Sequence, residues 1–376
     1  MISNPLLYLF TLAFIATFFH LLESKTQLKF FKFVPSVVLI YAFSMLFASI
    51  GIFESNEEIS DIYKLTKTNL LPAMLFLMLL QVDFRHFFRL GKSLLIAYVL
   101  AVFSIAFAFI VVNYSFDFNP KMYAAFGALA GSWMGGTANM IAVGSALNVD
   151  EIAFAYALVV DSVNYTLWVM LLLFLVPFAH IFNKFTKSDE NLADFGEIGC
   201  ACSMGAPRYW LLILLALAVS LISQTIASNF VILNSTTTTV LFATVLGVIG
   251  SFTRLKELNG SSEVATTMLY IIIALIGSKA VIGSFNGLGI YVLAGFCILM
   301  IHAFIMLIGA KIFKLDLFSI SVASLSNIGG VASAPILAAT YDKKLVSIGV
   351  LMAIMGYLIG TFGGLVVGNI LVGFAQ

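Results

Sequence analysis

The chain has 376 residues, of which 61% are hydrophobic and only 10% charged, and its mean hydropathy is +1.08. That excludes a soluble globular domain, in which about a quarter of residues are charged. A net charge of +1 leaves no surplus to attract nucleic acid, so no nucleic-acid partner is expected and the lipid bilayer is the expected surrounding.

The start, MISNPLLYLFTLAFIATFFHLLESK, places its lysine after the apolar run instead of before it, so it reads as a retained first helix and not a cleaved leader. A crossing needs about 20 apolar residues. Apolar segments follow one another at 6–22, 32–53, 69–84, 93–116, 121–148, 150–182, 209–230, 236–253, 264–280, 287–313, 316–341 and 344–374. The one long polar stretch, 183–208, divides them six and six.

The fifth segment contains GSWMGGTANM, 131–140. An adjacent glycine pair costs a helix about 1 kcal/mol per residue relative to alanine, and an unsatisfied backbone in lipid costs more. A break there persists only where protein or a water-filled cavity surrounds it. Shifting the sequence by 194 positions lays SLSNIGGVASA, 324–334, over this stretch: Ser132 meets Ser326, Gly135 meets Gly329 and Gly136 meets Gly330. The same shift pairs MLF at Met74 with MLY at Met268, without a gap. One offset serving two distant matches predicts a duplication of six segments per half.

Loop charges orient the halves. Lys25, Lys29 and Lys32 follow the first segment, acidic residues Glu54, Glu57, Glu58 and Asp61 follow the second, and Arg85, Arg89 and Lys92 follow the third. The first helix therefore runs from outside to inside. The loops bearing Arg254 and Lys256, and Lys311 and Lys314, fall inside only if the fifth and eleventh segments dip in and return. Each half then has five crossings, an odd number, and the halves are inverted. The expectation is an all-α polytopic membrane protein of two inverted-topology repeats, about ten transmembrane helices plus two re-entrant or broken Gly-Gly segments. Residues 1–182 form the N-terminal repeat, 183–208 a cytoplasmic linker and 209–376 the C-terminal repeat, with both termini extracytoplasmic in a bacterial inner membrane.

The breaks expose helix N-terminal N–H groups, which attract anions, and free carbonyls, which suit Na⁺. Around them Thr137 and Asn139 in the first half, and Ser326, Asn327 and Ser333 in the second, supply polar side chains. Small residues used only for close helix packing are the competing reading. Asp161 lies deep in the sixth segment, where a carboxylate is expensive; with Asn164 and Tyr165 at i+3 and i+4 it is expected to share one face. The 194 shift gives it no acidic counterpart but Met355, near Gly356, Tyr357, Gly360 and Thr361. Gln81 and Asp83 read as an interfacial helix end, Lys279 as a snorkelling side chain, Ser220, Ser223 and Gln224 as packing groups, and His302 as a hydrogen-bonded helix residue. Three cysteines, two of them Cys200 and Cys202, and four scattered histidines carry no metal-ligand spacing. No cofactor and no metal beyond a transported Na⁺ are expected.

At the paired motifs GSWMGGTANM and SLSNIGGVASA the chain resembles the YjcL-like family of uncharacterised bacterial membrane proteins, a family defined by a domain of unknown function. More distantly, the paired breaks resemble those of sodium/glutamate symporters and 2-hydroxycarboxylate transporters. That resemblance implies inverted repeats, hairpin tips that bind substrate and Na⁺, and an elevator movement against a dimeric scaffold. By motif similarity it implies tip roles for Ser132, Gly135, Gly136, Thr137, Asn139, Ser326, Asn327, Gly329, Gly330 and Ser333. This chain departs in having no arginine near either tip, so a neutral or zwitterionic solute is left open beside a carboxylate.

The expected function is a cation-coupled secondary transporter of a small organic solute, as a homodimer, and not an enzyme. No phosphate-binding glycine loop is present to couple it to ATP. A cation/proton antiporter would favour a second buried acid, and a passive channel is the alternative from another class. An intramembrane protease would need two aspartates in settings that YDKK at Tyr341 and NGLGI do not provide.

Overall fold

The computed structural model describes residues 1–26, 31, 36–54, 56–80, 90–116, 118–188, 205–231, 234–258, 260–280, 287–342 and 345–374. The described residues form an all-helical protein, whose one β contact is a bridge between Ile2 and Phe53. The helices are α1 (Pro5–Thr26), α2 (Ser36–Ser49), α3 (Glu57–Leu79), α4 (Lys92–Ser115), α5 (Pro120–Gly135), α6 (Thr137–Ala146), α7 (Glu151–Leu175), α8 (Ala179–Thr186), α9 (Ala206–Asn229), α10 (Ser235–Ser251), α11 (Ser261–Gly277), α12 (Leu288–Phe313), α13 (Leu317–Ile328), α14 (Gly330–Tyr341) and α15 (Val346–Gly373).

Among the described residues six stretches are long and apolar enough to cross a membrane: α1, α4, α7 with α8, α9, α12 and α15. The helices α2, α10 and α11 are apolar but shorter. The segment expected at 69–84 is only the later part of α3, which begins at Glu57. Its first turns carry Glu57, Glu58, Asp61, Lys64 and Lys67, so hydropathy concealed a helix that Asn56 caps by accepting from the Ile59 N–H. Helix also reaches into the polar stretch 183–208 from both sides, since α8 runs to Thr186 and α9 begins at Ala206. Residues 189–204, which contain Cys200 and Cys202, lie outside the described residues, as do Gln81, Asp83, Arg85 and His86.

Both Gly-Gly segments turn back on themselves. A Cβ added to Gly144 would lie 3.3 Å from the Ala128 Cβ, and one added to Gly131 would lie 2.8 Å from Val143 Cγ2. In one straight helix Ala128 and Gly144 would be about 24 Å apart, so α5 and α6 form an antiparallel hairpin. In the second segment the rings of Phe318 and Tyr341, at opposite ends of α13 and α14, are 5.3 Å apart. A continuous helix would separate them by about 35 Å.

The helices pack as two bodies. The first comprises α1–α3 with α9–α11, the second α4–α7 with α12–α15, and contacts within each far exceed those between them. The tightest seam in the second body is glycine on glycine. Gly127, Gly131 and Gly135 recur every four residues on α5 and meet Gly368, Gly364 and Gly356 of α15. A Cβ on Gly127 would come within 2.7 Å of Gly368 Cα, so the backbones touch, as small residues permit in membranes.

A buried histidine ties the second hairpin to its neighbours. The Trp168 indole N–H donates to Ser324 Oγ (2.9 Å), which is 2.8 Å from His302 Nε2; His302 Nδ1 is 2.7 Å from Ser104 Oγ, which donates to the Ala101 carbonyl. With Trp168 supplying a proton to Ser324 and Ser104 giving its own to a carbonyl, the chain closes with a neutral imidazole protonated on Nδ1. His302 is thus the hydrogen-bonded helix residue expected. His302→Leu removes the acceptor of the buried Ser324 hydroxyl and the donor to Ser104, leaving each with one partner, Trp168 and the Ala101 carbonyl, and is expected to destabilise the protein by about 2 kcal/mol, read as a lower thermal unfolding midpoint in detergent.

Candidate functional site

The two hairpin tips converge. A Cβ on Gly330 would lie 4.0 Å from Gly136 Cα. Beside this junction is a cavity of about 260 Å³ whose walls come from both bodies. The second body contributes Ser132, Gly136, Thr137, Asp161, Tyr165, Gly329, Gly330 and Tyr357; the first contributes Glu23, Ser36, Met78 and Tyr270.

Each glycine of a pair has its own reason. A Cβ on Gly135 would sit 1.9 Å from the Gly356 carbonyl oxygen, and one on Gly329 would sit 2.0 Å from Ser333 Oγ and 2.7 Å from Tyr165 Cε2. The first member is therefore needed for close approach. The second member bends the chain: Gly136 has φ +90° with open space in front of it, and Gly330 has φ +59°, values that glycine adopts readily. The packing reading and the break reading each hold for one residue of the pair.

Asp161 is the centre of the polar wall. Its Oδ1 accepts from the Trp133 indole N–H at 2.7 Å and its Oδ2 from Ser132 Oγ at 3.2 Å, so α7 is locked to the arm of the first hairpin just before the tip. Tyr165, one turn on, lines the same cavity and packs against Gly329 of the other tip. Asn164 does not share their face, contrary to expectation. It is fully buried against α12, where its Nδ2 donates to the Val160 and Val292 carbonyls and Gly295 leaves it room. Residues at i+3 and i+4 lie about 100° apart around a helix, enough for neighbouring elements to claim them separately.

Asn139 is likewise turned from the cavity. It donates to the Gly135 and Gly356 carbonyls and accepts from Thr361 Oγ1 at 2.6 Å, clamping α6 onto α15. Thr137 faces the cavity. On the second hairpin Ser326 and Asn327 are fully buried, with Asn327 Nδ2 donating to the Ala323 carbonyl, and Ser333 lies against Gly329. Ser220 and Gln224 bond to the backbone and side chain of Asn69, joining α9 to α3, and Lys279 lies over the Tyr63 ring.

Trp133, Glu23, Ser36 and Tyr270 escaped sequence reading. Trp133 was unremarkable as an aromatic in an apolar run. Glu23 lines the cavity and accepts from Ser36 Oγ at 2.5 Å, with Tyr270 Oη 3.3 Å from the same hydroxyl. No local pattern links Glu23 to Asp161, since the two stand on different bodies. Among the described residues no lysine, arginine or histidine lines this cavity, and none form a cluster suited to a metal ion.

The two bodies are also latched through Glu151. Tyr41 Oη donates to the Glu151 carbonyl at 2.6 Å and Tyr63 Oη to Glu151 Oε1 at 3.4 Å. A second polar cavity between the bodies, about 370 Å³, includes Lys64, Lys67, Asn148 and Gln224.

Paired glycine-tipped hairpins meeting at a cavity, with six membrane-length stretches among the described residues, define a multi-pass helical membrane protein. The chain belongs to the protein family of unknown function DUF819, whose signature matches residues 10–374. It is also similar to the "Uncharacterized membrane protein YjcL" of Bacillus subtilis (strain 168), with 23% identity over 379 residues, covering 92% of each chain.

Proposed function

We propose that the protein is a secondary transporter that moves a small organic solute by alternating access, with the second body shifting against the first. The observation that carries this reading is the meeting of Gly136 and Gly330 at a cavity walled by both bodies. A site at a seam between two sparsely connected bodies is exposed by sliding one past the other, without unpacking either. A second polar cavity between the bodies, bordered by the latch residue Tyr63, supports the same cycle.

The duplicated order of elements supports two inverted repeats: three helices, a long helix, a hairpin and a further long helix occur in each half. In this reading about ten helices cross the membrane and the hairpins are re-entrant. Coupling to a cation, Na⁺ above all, and a homodimer held through the first body follow from the likeness to elevator symporters. The inner membrane, with both termini outside, follows from the loop charges.

Reconstituted into liposomes, the protein is expected to accumulate a labelled solute from a mixture of amino acids, carboxylates and sugars, in a saturable manner and faster with an inward Na⁺ gradient. A response to a pH gradient without any organic solute would instead identify a cation/proton antiporter. Single-channel currents in a planar bilayer would overturn the carrier in favour of a passive channel.

A further inference from the structure

We infer that the cavity between the tips takes a small zwitterion, a molecule with one ammonium and one carboxylate and an otherwise uncharged body. The inference deepens the transporter reading and rests on it for the route by which the molecule moves. Its chemistry comes from the walls.

The negative side of the cavity is Asp161, on α7, and Glu23 across the seam on α1. Its positive side is made of backbone. The helices α6 and α14 both begin at the tips, and neither has a side-chain cap at its N-terminus. The first N–H groups of a helix have no acceptor within it and carry its partial positive charge. The leading residues Thr137 and Ala138 of α6, and Gly330 and Val331 of α14, line the cavity, so these donors are placed where a carboxylate can accept from them.

The charge pattern excludes the simpler classes. A solute with only an anionic group would meet two carboxylates and, among the described residues, no lysine, arginine or histidine. One with only a cationic group would leave both helix N-termini unanswered in a site partly closed to water. A second carboxylate, as in a dicarboxylic acid, would find only the other helix N-terminus, whose partial charge of about half a unit does not offset the two carboxylates of the wall. The remaining wall, with Leu158, Leu269, Tyr165, Tyr270 and Tyr357, suits a short uncharged body, and 260 Å³ lies just below the range of about 300–1,000 Å³ that holds drug-sized ligands.

The test is binding to the purified protein by calorimetry, with and without Na⁺, using alanine, valine, leucine and phenylalanine as probes. For each amino acid that binds, the amine lacking its carboxylate and the acid lacking its amino group follow. The zwitterion is expected to bind at least tenfold more tightly than either. Asp161→Asn is expected to weaken the zwitterion at least tenfold without weakening the acid, from which it removes only a repulsion. Glu23→Gln, at the seam and outside the hairpin lock, provides the same comparison should the first variant misfold. Failure of all four amino acids to bind at millimolar concentration would overturn the inference. So would an amine or acid that equals its zwitterion, or tighter binding of glutamate than of all four. Binding of an amino acid without uptake in liposomes would sustain the zwitterion site and overturn the transporter reading. Uptake of a sugar or a dicarboxylate would do the reverse.

Discussion

Asp161→Asn is expected to bring gradient-driven uptake down by about 100-fold while leaving a folded protein. The carboxylate stands between the Trp133 indole, the Ser132 hydroxyl and the cavity. An amide of the same shape can still accept from Trp133 through its oxygen, so α7 and the first hairpin stay joined. What it loses is the charge offered to the cavity. Hydrogen bonds to charged groups contribute about 1.5–3 kcal/mol, and 1.4 kcal/mol is a factor of ten. The measurements are initial uptake rates in liposomes and the thermal midpoint in detergent, taken together. Wild-type uptake by the variant would remove Asp161 from the site. A collapse of the midpoint would make it a structural group that holds the bundle together.

Gly135→Ala and Gly136→Ala, one residue apart, are expected to fail differently. At Gly135 the new methyl would fall 1.9 Å from the Gly356 carbonyl oxygen and 2.3 Å from Asn139 Nδ2. The first of these is backbone and the second is pinned by its bonds to Gly356 and Thr361. Relief requires α5 and α15 to separate along their glycine seam, so the loss is about 3 kcal/mol or more, at the upper end for overpacking, with much less folded protein recovered. At Gly136 nothing lies within 4 Å. The penalty there is backbone strain alone: φ +90° with ψ 173° is a region that essentially only glycine occupies, at a cost of about 1–3 kcal/mol, so the protein folds but the tip relaxes towards another conformation. Uptake is expected to fall at least tenfold with normal yield. The reverse order of stabilities would show that Gly136, and not Gly135, seats the hairpin on α15.

How much of this was legible beforehand varied with the range of the cause. The two breaks were readable because glycine pairs in apolar runs are local features, and both runs do turn back. The start of α3 was not readable from hydropathy, because its first turns are charged. Asp161 and Tyr165 were identified because a carboxylate deep in an apolar segment demands a polar surrounding. Asn139 and Asn164 looked equivalent to them by residue type, yet both are spent on holding helices together. Residue type announces that a buried amide must be satisfied; only its neighbours decide by what.

The sequence by itself therefore determined the solvent, the helices and the two places where they reverse, because hydropathy and backbone freedom belong to the chain locally. The tertiary structure alone decided that the reversals face each other, that Glu23 stands across from Asp161, and that the site lies on the seam between two bodies. Those facts depend on which helices pack together over separations of 100 residues and more, such as the 138 positions from Glu23 to Asp161, and apolar surfaces of similar composition do not encode their partners in any short stretch.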